Sequence, residues 1–217
     1  MSKPHKKRFS GFNLREALTI IGTNQLKEWE IDAHPVQPSA NYKKTMNKLK
    51  SSFDLSLSEA AKVLWIDMIL FEAVAHFKEL KVWKEASLQT DTIAGALDYL
   101  IAPQGTVYQS PLLCVVEAKK DDFEKGMAQC LVEMCACRDF NKSVNIDIYG
   151  IVTNAIHWEF YKLTPINEAY KSPAYSEIHL EEVLGVLHFI LTQCVANLKK
   201  FDQLVSEAGH FNIDNAD

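Results

Sequence analysis

Leu112-Leu113-Cys114-Val115-Val116-Glu117-Ala118-Lys119-Lys120 is the stretch that decides the fold. Five apolar residues in a row read as a central strand buried on both faces. The run ends on a carboxylate and an ammonium two residues apart. In an extended chain, residues i and i+2 share a face. Glu117 and Lys119 therefore point the same way at the end of the most apolar strand in the chain. Charges in that position are costly unless they are paired, hydrated or bound to metal.

Working upstream, Pro103-Gln104-Gly105 through Pro111 turns the chain back. Before it, Val82–Thr90 and Thr92–Ala102 read as two strands, the second carrying Gly95 and Asp98. Pairing of that second strand with 112–116 brings Asp98 near Glu117. Two adjacent carboxylates repel, and a divalent cation relieves the repulsion. Lys119 beside them can hold and polarise a metal-bound water. Carboxylates for Mg²⁺, a metal-activated water and a cation against the growing phosphate charge are the equipment for phosphodiester hydrolysis.

The flanks complete an α/β order. A helix runs from Glu59 to about Leu80, capped by Ser56 or Ser58, and is apolar over most of its circumference. Asp121 or Asp122 caps a second helix over Phe123–Phe140. Ile146–Thr153 and Trp158–Leu163 read as strands turning at Asn154-Ala155, and an amphipathic helix covers about 180–206, with an acidic end fraying from Glu207. Helix, three strands, helix, two strands, helix makes a mixed β-sheet flanked by helices, with N- and C-terminal helical extensions. The chain divides into a basic extension and linker over 1–55, a core over 56–165, and a C-terminal helix and acidic tail over 166–217. Residues 1–10 are expected to be disordered, 11–31 to hold a short helical piece around Leu14 to Leu26, and 32–56, punctuated by Pro35 and Pro38, to be a linker with a lysine-rich turn of helix.

Charge is uneven. The first fifty residues hold ten Lys/Arg against four Asp/Glu, a balance of +6, and the remainder carries −11. An acidic body argues against a protein that coats DNA by charge alone. Lys3, Lys6, Lys7 and Arg8 either touch phosphates or form a solvated tail. Arg8, Arg15 and Arg138 are the only arginines. That favours recognition of shape or backbone, or a protein partner or second copy that supplies specificity, over rich base readout. The five cysteines are odd in number and follow no secretion signal, which points to the reducing cytoplasm. Cys130 and Cys137, seven apart, share a helix face and suit core packing, and Cys135-x-Cys137 lacks the second pair of a zinc tetrad. Val183–Leu198 is apolar but interrupted by polar residues, so a buried helix is expected rather than a membrane span. No P-C-x-x-C follows His157-Trp158-Glu159, and there is no phosphate-binding glycine loop and no G-x-S-x-G elbow.

At Gly95-Ala-Leu-Asp98-Tyr99 and Val115-Val-Glu117-Ala-Lys119 the chain resembles the PD-(D/E)XK nuclease superfamily, and in particular the nuclease part of type I restriction subunits. The resemblance covers about residues 56–165 and implies a restriction-endonuclease-like fold and a Mg²⁺-dependent DNA endonuclease, with Mn²⁺ able to substitute. It implies that Asp98, Glu117 and the Ala118 carbonyl bind the metal and that Lys119 positions the water. It places Glu59, or its rival Glu72, as a third acid from the first helix, and Gln129 as the glutamine of the following helix. Leu97 stands where many members have proline, and Gln129-x-x-x-Glu133 lacks the tyrosine of one branch. The alternatives are a member of the fold that binds nucleic acid or protein without cutting, and a purely structural cluster of charges.

Overall fold

The computed structural model describes residues 6–55, 58–119, 122–142 and 145–211, with side chains throughout except at Glu59 and 208–211. Its centre is β5 (Cys114–Ala118), every residue of which is buried, as a continuous apolar run requires. The strand β4 (Ile93–Pro103) pairs antiparallel with β5 through Tyr99–Val116, Leu100–Val115 and Ile101–Cys114. On its other edge β4 forms a long hairpin with β3 (Leu80–Gln89). On the far side of β5 lies β6 (Ile148–Thr153), parallel to it in register Glu117–Val152. A parallel pair needs a crossover, and α4 (Phe123–Phe140) supplies it. The strand β7 (His157–Leu163) returns antiparallel along β6. Beyond it come β8 (Ala169–Lys171) and β2 (Leu26–Glu28). β1 (Lys7–Arg8) joins β4 and β9 (Tyr175–Ser176) joins β7, so that the described residues form one mixed nine-stranded sheet.

Helices cover both faces. α3 (Glu59–Val74) starts at Ser58, whose hydroxyl accepts from Ala61 N–H. It lies on the face from which Tyr99 points, because the Tyr99 hydroxyl donates to Asp67 at 2.8 Å and Lys84 pairs with the same carboxylate. α4 lies on the opposite face, capped by Asp122 accepting from Lys125 N–H. Its approach requires Gly150, where a Cβ would meet Met134 Sδ at 2.5 Å and Cys130 Sγ at 2.6 Å. The end of α4 is tied back to the start of β5: Asn141 accepts from Leu112 N–H at 2.7 Å and donates to Leu112 C=O at 2.8 Å, as a neighbouring strand would. All five cysteines are buried free thiols.

Several expectations are corrected. The N-terminal segment is not disordered from residue 6 onward. Lys7 ion-pairs with Glu16 at 2.7 Å, and Phe9 is buried so closely over Gly95 that a Cβ there would sit 2.5 Å from its ring. Residues 1–5, including Lys3, lie outside the described residues. The 32–56 stretch is more than a linker, because Ala40–Ser52 forms a full helix, α2, capped by Ser39 accepting from Tyr42 N–H. The first strong helix ends at Val74 rather than Leu80. Leu80 instead opens β3 with 4% exposure, so burial in the sheet overrides its helical propensity. α1 (Leu14–Ile21) is shorter than the apolar piece around it because Gly22, at φ 87°, closes it in the left-handed region. The C-terminal helix α5 runs over Leu180–Phe211, past Glu207, and residues 212–217 lie outside the described residues. By length and composition α5 could cross a membrane. Here its Val183, Leu187, Ile190 and Cys194 stripe is buried in the core.

Candidate active site

The ladder between β4 and β5 stops at Tyr99–Val116. One step further along the same register, Asp98 stands opposite Glu117, and opposed residues of an antiparallel pair share a face. The ladder does not continue because the Asp98 side chain takes over: its Oδ2 accepts from Ala118 N–H at 2.8 Å. In a strand the N–H and C=O of one residue point the same way, so the Ala118 carbonyl also points toward β4, while the next amide, Lys119 N–H, turns to Thr153 O on β6. On the other edge of β4 the ladder also skips Asp98, because its opposite number Glu85 sits at φ 52°. A non-glycine residue there costs on the order of 1–2 kcal/mol.

Glu117 points to the α4 side of the sheet and is 1% exposed. Lys119 forms an ion pair with its Oε1. The lysine stem lies against the first turn of α4 at Gly126, where a Cβ would come within 2.8 Å of Lys119 Cγ. The ammonium also donates to Gln129 Oε1 at 3.1 Å, and the Gln129 amide donates to Glu133 Oε1 at 2.9 Å. Gln129 is 7% exposed and Glu133 fully buried, so neither is a surface residue. Glu133 in turn meets Glu117 carboxyl to carboxyl. Asp98, Glu117, Lys119, Gln129 and Glu133 thus form one connected polar group on three elements.

Its electrostatics follow from burial. Desolvation first, and then the Asp98 charge, push the Glu117 carboxyl up to about 7, against the opposing pull of Lys119. Burial and the charge of Glu117 raise Glu133 well above the usual carboxylate range. Burial alone would lower Lys119, but pairing with Glu117 and the charges of Asp98 and Glu133 outweigh it and hold it above an ordinary lysine. Glu117 Oε2 and Glu133 Oε2 are buried with no hydrogen-bond partner. Orphaned buried acceptors are rare in folded proteins and ask for a proton or a cation.

Of the expected third acids, Glu72 does not belong here. It is 9% exposed, and its two oxygens accept from Ser39 N–H at 2.6 Å and Ser39 Oγ at 3.0 Å, so it holds the start of α2. The side chain of Glu59 lies outside the described residues. Among those residues no group of three or more Asp, Glu, His or Cys side chains surrounds a single point in a metal-binding arrangement. The candidate oxygen donors are Glu117, Asp98 opposite it in register, and the Ala118 carbonyl on the same edge of β5. All are hard ligands of the kind Mg²⁺ and Mn²⁺ prefer, and an orphaned oxygen on Glu117 suits a cation.

Sequence reasoning left Glu133 without a role. The signal was present: an acid four residues after Gln129 in an otherwise apolar helical run shares its face with that amide. A cavity of about 940 Å³ lies elsewhere, between the β3–β4 turn, Tyr108–Ser110 and the end of α4. A smaller one, about 450 Å³, is bounded by Gln129 and by Lys6 and Arg8. No protein-family model matches the sequence, and no curated protein matches it significantly.

Proposed function

We infer that this chain has a restriction-endonuclease-like fold and is a Mg²⁺-dependent deoxyribonuclease, with Mn²⁺ as a substitute. The single observation that carries the reading is Glu117: a carboxylate fully buried at the end of the central strand, in register with Asp98, with one oxygen unpartnered and a lysine two residues on held beside it. One carboxylate oxygen pairs with Lys119, and the other is buried with no hydrogen-bond partner, close to the Glu133 carboxyl and to the charge of Asp98.

A bound divalent cation would supply charge against the phosphate and lower the pKa of an attacking water. Asp98, Glu117 and the Ala118 carbonyl would hold it. Lys119, kept protonated by its acidic neighbours, can donate to the attacking water and orient it. Gln129 fixes the ammonium from behind with its carbonyl oxygen, and Glu133 fixes which way that amide faces by accepting from its NH₂. Five buried thiols with no disulfide fit the cytoplasm as the compartment.

The second reading, a member of the same fold that binds DNA without cutting, draws on there being no group of three metal-holding side chains among the described residues, since fewer charged ligands hold a metal more weakly. Plasmid nicking with Mg²⁺ or Mn²⁺, run beside Lys119→Ala, separates the two. The nuclease reading expects cleavage by the parent and a loss on the order of 10²-fold or more in the variant. Cleavage that survives Lys119→Ala unchanged, or a parent that never cuts, refutes it.

A further inference from the structure

On the edge of β4 away from β3, two strands pair at different levels. β1 takes Ile93 and Ala94, and β5 takes Tyr99 to Ile101. Among the described residues, Gly95 and Ala96 between them pair with no strand on that edge. The cavity of about 450 Å³ opens in this gap. Ala94, Gly95 and Ala96 line it with small residues, the Phe9 ring packs over Gly95 at its side, and the Gln129 amide closes the end nearest Lys119. Lys6 and Arg8 line its other side. Alternation along an extended segment explains why: Lys6 and Arg8 face one way, the Lys6 ammonium donating to the neutral acceptors Thr90 O and Gln89 Oε1, which carry no charge against its own, while Lys7 faces the other and pairs with Glu16 and the Phe12 ring. Arg8 is exposed and, among the described residues, makes no ion pair. Ala96 precedes Asp98 by two residues, so this lining lies about 7 Å along the strand from that acid.

We propose that this cavity is a subsite for a backbone phosphate of DNA, adjacent to the cleavage centre, with Lys6 and Arg8 as its cations. The inference rests on the nuclease reading for the identity of the neighbouring centre, and its own content is the binding of a phosphodiester. An acidic protein needs a local cationic contact to hold a polyanion, and the N-terminal segment delivers two to this gap beside Asp98. The small-residue lining admits a sugar–phosphate backbone, and contacts of this kind read no sequence. The partner is therefore duplex DNA held without base specificity.

The test is binding of fluorescein-labelled duplex DNA to the full chain by anisotropy across a NaCl series, with Ca²⁺ in place of Mg²⁺, for the parent, Lys6→Gln/Arg8→Gln, the charge-keeping Arg8→Lys, and a control, Lys43→Gln/Lys44→Gln, on α2. Each lost phosphate contact lowers the slope of log K against log salt by about 0.9. The double variant should lose about two from the slope and roughly tenfold in affinity at low salt, while Arg8→Lys and the α2 control stay near the parent. Equal slopes for the double variant and the parent overturn the subsite, as does a parent that does not bind. So does displacement of DNA by inorganic phosphate beyond that by chloride at matched ionic strength, if the double variant loses that effect, because the cavity would then hold free phosphate. The nicking assay reports separately. A parent that binds through Lys6 and Arg8 but never cuts refutes the nuclease and leaves the subsite standing. A parent that cuts, with an unchanged slope in the variant, refutes the subsite alone.

Discussion

Replacing Glu117 with Gln should stabilise the metal-free protein, and the size of the effect can be worked from its burial. The folded protein holds the Glu117 proton up to about pH 7, against 4.5 for the exposed side chain. Keeping the group ionised in the fold therefore costs on the order of 3 kcal/mol. The sign is as follows. Below 4.5 both folded and unfolded chains are protonated and there is no penalty. Between 4.5 and about 7 the folded state binds more protons, so stability falls as pH rises. Above 7 the penalty is complete. Glu117→Gln removes it, and because the rise to about 7 is already net of the pull of Lys119, no further loss is subtracted. A net gain of about 3 kcal/mol above neutral pH raises the melting temperature by about 6–12 °C for a chain of this length. The gain should vanish toward pH 4.5. Magnesium supplies the converse. At a hundred times its dissociation constant it adds about 2.7 kcal/mol to a protein that binds it only when folded, and the variant should lose this increment. The assay is thermal melting of parent and variant across the window from 4.5 to 7, in chelator and in Mg²⁺. A variant that melts lower than the parent at every pH, with no Mg²⁺ response in the parent, would show that Glu117 is half of a structural ion pair.

Three further outcomes are expected. Gly126→Ala places a methyl 2.8 Å from Lys119 Cγ and 2.9 Å from Val152 Cγ1. It should cost about 1–3 kcal/mol despite the better helix former and slow cleavage by displacing Lys119, whereas equal melting and equal single-turnover rates would deny the close approach. Glu133→Gln keeps an acceptor for the Gln129 amide and should retain stability and activity. Glu133→Leu strands that amide, costs about 1–3 kcal/mol and reduces cleavage, and activity equal to the parent's in Glu133→Leu would remove Glu133 from the positioning of Lys119. Glu72→Ala should loosen α2 by about 1–2 kcal/mol, seen as faster amide exchange over residues 40–52, with the metal response intact. Loss of the metal response instead would make Glu72 a site acid.

Much of the scaffold could be read from residue patterns, and the reasons are physical. The run Leu112–Val116 has no face to give to water, so it had to be central. The change from helical to alternating period near residue 80 placed the hairpin, and a carboxylate at Asp121 or Asp122 placed the start of α4, where Asp122 proves to be the cap. The short strands were illegible. β1 is two residues long and is held by Phe9 against Gly95, a contact 86 residues apart in the chain that no local pattern announces. The same holds for β2, which exists because β8 lies next to it. At the site, Glu117 and Lys119 could be paired from period alone, and Asp98 from the hairpin. The direction of Glu72 could not, because α3 is apolar nearly all round and its sequence does not say which side meets the sheet. The role of Glu133 depended on where Gln129 points, which is fixed only once α4 is seated over Gly150.

The Asn141–Leu112 clamp has a mechanical consequence. It fastens the last turn of α4 to the entry of β5, while Lys119 packed at Gly126 and bonded to Gln129 fastens the first turns of α4 to the exit of the same strand. Strand and helix are therefore riveted at both ends and must travel as one body, carrying Glu117, Lys119, Gln129 and Glu133 without relative slip. Compliance is left to the other side of the gap, where β1 is held to β4 by two residue pairs. If the proposed subsite holds DNA, adjustment falls to the two-residue pairing of β1 with β4, while Glu117, Lys119, Gln129 and Glu133 keep their places on the riveted pair.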